Sequence, residues 1–142
     1  MAVLAELPPR LREGIAAAAQ AVTVPPGAML FDERQPCQGF PFVLAGAIRV
    51  AKVAANGREL PLYRVLPGET CIISSSCLLG HIAYNARGVA QGETTLGLLP
   101  RPVFDELLGT EPFRNFIFQL FAERVADLMQ LVEEVAFRKL DQ

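Results

Sequence analysis

The sequence is poor in the residues that carry metal, proton or phosphate chemistry. His81 is its only histidine, and 13 basic residues stand against 15 acidic ones. An enzyme of the cupin type converges two or three histidines and a carboxylate on a metal, which one histidine cannot supply. No local motif sets out a Ser-His-Asp or Cys-His-Asp order. A formal charge of -2 is too acidic for a domain that grips a phosphate backbone by charge. No apolar run is long enough for a transmembrane helix. The start, MAVLAELPPRLREG, has acidic and proline residues where a signal peptide needs an unbroken apolar stretch. The chain therefore reads as cytoplasmic and not as an enzyme. Its three cysteines, Cys37, Cys71 and Cys77, are an odd number. In a reducing compartment thiols, ligands or packing residues are expected before structural disulfides.

What is present is a globular pattern that divides by texture. Apolar residues make up 51% and charged residues 20%, enough to bury a core in one domain. Over residues 1–20, Leu4, Leu7, Leu11 and Ile15 recur at a helical period, and Pro8-Pro9 splits the run into two short helical pieces. Residues 21–100 carry short apolar runs between turn signals: Pro25-Pro26-Gly27, Gly46, Asn56-Gly57, Pro67-Gly68 and Gly92. That texture predicts an antiparallel sandwich or roll. Asn56-Gly57 predicts a type I′ hairpin joining Ile48–Ala54 to Arg58–Val65. Residues 101–142 return to helix. Pro102 opens a short one that Gly109 ends, and Thr110 is placed to cap a longer one over about 28 residues.

The long helix carries a stripe at three- and four-residue steps: Ile117, Leu120, Phe121, Arg124, Leu128, Leu131, Val132 and Val135. Phe113, Phe116 and Phe118 widen its start, where it should lie on the β-rich part. A helix of about 40 Å outruns a roll of that size, so its distal end is expected to pair with a second copy in a parallel seam.

Four pieces occur in order: Pro26-Gly27-x-x-Leu30-Phe31, Val43-Leu44-x-Gly46-x-Ile48-Arg49-Val50, Gly57-Arg58-Glu59 and Leu66-Pro67-Gly68-Glu69. Followed by Val103-Phe104 and the long helix, they resemble the sensor domain of the Crp/Fnr family of bacterial transcription regulators. The resemblance covers roughly residues 20–142. It implies an α+β fold: a cyclic-nucleotide-binding-like antiparallel β-roll, or jelly roll, with short N-terminal helices and a long dimerisation helix. It also implies a homodimer, with DNA and RNA polymerase engaged only through a helix-turn-helix. That reader would follow the long helix and is absent from these residues, so the chain reads as a truncated piece or as a protein without the reader. A second possibility is a regulatory module of a protein unrelated to transcription that binds a cyclic nucleotide or another small ligand.

In nucleotide-binding relatives the segment after Pro-Gly-Glu holds the ribose with Gly-Glu and the cyclic phosphate with Arg-Ser or Arg-Thr. Here Ile72 and Ile73 stand at the first pair and Tyr84 and Asn85 at the second, and no glutamate lies within Thr70–Arg87. The purine contacts map near Met129 and Gln130. Cyclic-nucleotide binding is therefore not expected, because a buried phosphate needs a paired cation. In its place stands Cys71-Ile72-Ile73-Ser74-Ser75-Ser76-Cys77-Leu78-Leu79-Gly80-His81. If this stretch begins as a strand and turns into a short helix, Cys77 and His81 share a face, as in a soft-metal, haem or redox site, and Ser74, Ser75 and Ser76 offer hydroxyls to an anion. Free cysteines are also commonly buried as small hydrophobes. A Cys71–Cys77 disulfide would need a bent segment. No cofactor is assigned, and the effector is a small ligand or a redox signal.

Overall fold

A computed structural model describes residues 4–37, 39–80 and 83–140. A single 3-10 turn, Leu4–Glu6, precedes helix α1, Pro9–Ala18, and the two prolines separate them as their fixed φ requires. Five strands follow: β1 Gln20–Val24, β2 Met29–Phe31, β3 Phe40–Val53, β4 Glu59–Val65 and β5 Arg87–Leu99. Helix α2, Ile72–Gly80, interrupts them between β4 and β5. Helices α3, Arg101–Leu108, and α4, Glu111–Leu140, close the chain. All pairings are antiparallel, in the order β1-β5-β3-β4, with β2 also on β5. No helix among the described residues is long and apolar enough to cross a membrane.

The hairpin between β3 and β4 forms where expected, but with a different turn. Val53 pairs with Glu59, and the Gly57 amide donates to the Ala54 carbonyl. Gly57 has φ 84°, while Asn56 is not in the left-handed region. The loop is thus a type I turn closed by a left-handed glycine, not a type I′ turn. Gly46 is also corrected: it lies inside β3 and does not end a strand. At φ 82° it makes a bulge, and a β-carbon there would lie 2.5 Å from the Glu93 carbonyl oxygen. The buried Thr94 hydroxyl stitches the bulge by donating toward the Ala47 or Gly92 carbonyl, both 3.1 Å away. Gly92 likewise sits within β5.

Two apolar clusters hold the molecule. One fills the roll, with Phe31, Val43, Ile48, Val50, Val65, Cys71, Cys77, Tyr84 and Leu96 among its members. The other packs the helices onto the roll through Leu7, Ile15, Phe40, Leu99, Phe104 and Phe113. Phe104 meets Phe113 edge-on, with centroids 5.7 Å apart at 83°. Pro102 sits in the first turn of α3 as its missing N–H allows. Thr110 does not cap α4. Its hydroxyl donates back to the Leu107 carbonyl at 2.6 Å.

α4 has 30 residues, about 45 Å. Phe113, Phe116, Ile117 and Leu120 are its buried residues. Ile117 and Leu120, expected in the dimer stripe, therefore belong to this chain's own core. Phe118, expected against the roll, is 62% exposed. The helical period explains this, since it stands about 100° around the axis from Ile117.

Candidate functional site

α2 occupies the segment that the resemblance assigns to effector binding. Its approach is pinned to β3: the Val43 amide donates to the Glu69 carbonyl at 3.1 Å, and Phe42 bridges Thr70. Its far end is held by Arg101, whose guanidinium donates to the Leu78 carbonyl at 3.1 Å. Cys71, Ser74, Cys77 and Leu78 recur at three- and four-residue steps, and all are buried. Ser74, Cys77 and Leu78 form the inward face of the helix, and Cys71 stands just before its first residue. The Ser74 and Thr70 hydroxyls are buried without a hydrogen-bond partner. Each costs about 1–3 kcal/mol of desolvation. The side chains of Ser75 and Ser76, and His81 as a whole, lie outside the described residues.

The sequence favours thiols, ligands or packing residues over a disulfide, and the structure differs at two of the three cysteines. Cys37, in the loop between β2 and β3, is disulfide-bonded to Cys77, with Cα atoms 5.9 Å apart. Cys71 and Cys77 cannot be bridged, because the helix between them separates their Cα atoms by on the order of 9 Å, beyond disulfide reach. Cys71 is buried in the roll, its sulfur 3.7 Å from the Tyr63 hydroxyl. The Arg124 guanidinium lies 4.4 Å from the centre of the Tyr63 ring. α2, β4 and α4 thus meet at Cys71, Tyr63 and Arg124, a junction the sequence reading missed. It placed Arg124 in the dimer stripe and gave Tyr63 no role.

Tyr84, which the sequence resemblance sets at the phosphate-binding arginine, is buried and stacked on Phe31 at 4.6 Å. Asn85 beside it is exposed. Arg87 is engaged elsewhere, donating from Nε and Nη2 to the two Asp32 carboxylate oxygens at 3.0 and 3.1 Å. These bonds, with one from the Glu33 amide, hold the Asp32 carboxyl below the usual carboxylate range. A depressed folded pKa gives stability that is present above the unfolded value, about 3.9, and is lost as pH falls through the folded value. Urea midpoints measured from pH 6 to pH 2 should therefore fall more steeply for the wild type than for Asp32→Asn below about pH 4. Parallel curves would exclude this pair as an acid-sensitive contact.

No cluster of three metal-ligating side chains occurs among the described residues. A cavity of about 360 Å³ opens between α1 and β3, lined by Arg12, Ile15, Phe42 and Val43 among others. None of Cys71, Ser74 or Cys77 lines it.

The comparisons agree with this architecture. Residues 21–111 match the family model of the cyclic nucleotide-binding domain. No curated protein matches by sequence. Among solved structures, the catabolite activator protein of Thermus thermophilus is similar with a TM-score of 0.80 at 23% identity, over 93% of this chain and 62% of that one. A protein from Eubacterium rectale assigned to the Crp/Fnr family of transcriptional regulators gives 0.75 at 25% identity, over 91% and 60%. The sensor domain of the transcriptional regulator DNR from Pseudomonas aeruginosa gives 0.68 at 19% identity, over 90% and 83%. The chain spans about three fifths of the length of the first two. On its β-roll, its inserted α2 and its matched residues, this chain belongs to the cyclic nucleotide-binding domain family.

Proposed function

We propose that this chain is the sensor and dimerisation part of a cytoplasmic Crp/Fnr-type transcription regulator, not an enzyme, and that it has lost the cyclic-nucleotide contacts of its family. The observation that carries this reading is the distal half of α4. The face that buries Phe113, Ile117 and Leu120 runs on as Leu128, Leu131 and Val135, which are 60%, 55% and 47% exposed. A helix that continues its apolar face past its own domain needs a partner over that face, and a second copy in parallel supplies the same stripe. DNA and RNA polymerase would be engaged through a helix-turn-helix beyond Gln142. The gene's reading frame after that residue tests this, and a frame without such a motif would sink it.

The loss of nucleotide contacts is supported by Tyr84 stacked on Phe31, by Arg87 held on Asp32, and by Cys71 and an α2 face of Ser74 and Cys77 that carry no cation or carboxylate. Calorimetry with cyclic AMP and with cyclic GMP should give no binding tighter than millimolar, about −4 kcal/mol. A micromolar dissociation constant for either would show that the site still holds a cyclic phosphate.

A further inference from the structure

We propose that the Cys37–Cys77 bridge is a thiol–disulfide exchange site, entered at Cys37 by a small thiol or dithiol, whose opening releases α2 from the β2–β3 loop. The proposal rests on the reading of the chain as a cytoplasmic regulator. In that compartment a disulfide is usually transient and catalytic or redox-sensing, not structural.

The bridge joins two elements that are otherwise fastened to different neighbours. The β2–β3 loop is tied to the segment before β5. Asp32 holds Arg87, the Arg34 amide donates to the Tyr84 carbonyl at 2.8 Å, and the Tyr84 amide donates to the Gln35 carbonyl at 3.0 Å. α2 is tied to β3 at its start and to Arg101 at its end. Between these ends, the bridge at Cys77 is the covalent tie to the loop.

Burial sets the direction of exchange. Cys37 packs against both apolar clusters but is only partly buried, whereas Cys77 is 1% exposed. An incoming thiolate therefore reaches the Cys37 sulfur, in line with Cys77 as leaving group. A bond forms from the thiolate to the Cys37 sulfur, the Cys37–Cys77 bond breaks, and the electron pair leaves on the Cys77 sulfur. That sulfur sits in the apolar cluster of the roll and takes up a proton as it leaves. With a monothiol the first exchange leaves a mixed disulfide on Cys37 and a thiol at Cys77, and a second monothiol then attacks the adduct, leaves as its own disulfide and frees Cys37 as a thiol. With a dithiol, the second thiolate attacks its own first sulfur, closes the dithiol's disulfide and expels Cys37, which is protonated from water. Two electrons and two protons pass from the dithiol to the bridge. Cys71, held beyond disulfide reach of Cys77, does not enter the exchange.

The test uses the oxidised, folded chain. Millimolar glutathione should place its first adduct on Cys37 and none on Cys77, with Cys77 alkylated only where the bridge has opened and Cys71 unmodified, as read by peptide mapping at early times. Dithiothreitol should yield thiols at Cys37 and Cys77. In both cases amide hydrogen exchange over residues 72–80 should rise by roughly tenfold and fall again on reoxidation with diamide. Cys37→Ser leaves the buried Cys77 in place and should show the faster exchange without reductant. A bridge that resists both reagents until the chain unfolds would overturn the proposal, as would an adduct on Cys77 or an unchanged α2. Sedimentation of the oxidised chain reads the regulator proposal separately: a monomer would count against that reading and leave the exchange map as it stands.

Discussion

Leu128→Glu should convert the dimer to monomer at micromolar concentration. The wild-type chain, 15.4 kDa as a monomer, should sediment at about twice that mass. At about 100° per residue, Arg124, Leu128, Leu131 and Val135 fall within one narrow sector of α4, continuous with buried Ile117. In a parallel pair Leu128 meets its own copy, so the variant places two carboxylates in one apolar layer. Burying unpaired charge costs several kcal/mol, and the dimer should weaken by at least two orders of magnitude. The monomer should be unaffected, because Leu128 is 60% exposed within its own chain and a surface change is worth within about 0.5 kcal/mol. Glu133→Gln, on the far side of the helix, serves as the control. If the wild type is monomeric, or if Leu128→Glu dimerises equally well, the seam lies elsewhere.

Removing the Cys37–Cys77 bridge should lower the stability of the folded chain by about 4 kcal/mol, the entropy of closing a loop with a sequence separation of 40. At this chain length that corresponds to a fall in Tm on the order of 10 °C. Cys37→Ser is the cleaner variant, because Cys77 is buried and a hydroxyl there would add an unsatisfied polar group. Reduced wild type and Cys37→Ser should unfold at nearly the same denaturant concentration, with the same value in the presence or absence of reductant for the variant. A domain of ordinary stability, 5–15 kcal/mol or so, survives such a loss, so the reduced form should remain folded. A shift below about 1 kcal/mol would mean that the unfolded chain is already compact around these cysteines.

Much of the fold was legible because its signals are local. Pro8-Pro9, Gly57 and Pro102 act through the φ they fix or permit, whatever surrounds them. Gly46 and Gly92 were misread as turns for the same reason. A glycine with positive φ suits a turn and a bulge alike, and only the strand opposite decides between them. The candidate site was less legible. The inward face of α2 follows from the spacing of Ser74, Cys77 and Leu78, but the Phe31–Tyr84 stack, the Asp32–Arg87 pair and the Tyr63–Arg124 contact each join residues more than 50 positions apart.

The sequence by itself determined the terminal helices, the hairpin between β3 and β4 and the length of α4. These depend on residue identity and on spacings of a few positions. Only the tertiary structure decided that Cys77 pairs with Cys37 and not Cys71. A helix of rigid rise holds two near neighbours apart, while the rolling of the sheet brings a residue 40 positions away within reach. The tertiary structure also decided which part of the α4 stripe is core. Leu120 and Leu128 are the same residue type on the same face, and one is 1% exposed and the other 60% because the roll ends between them.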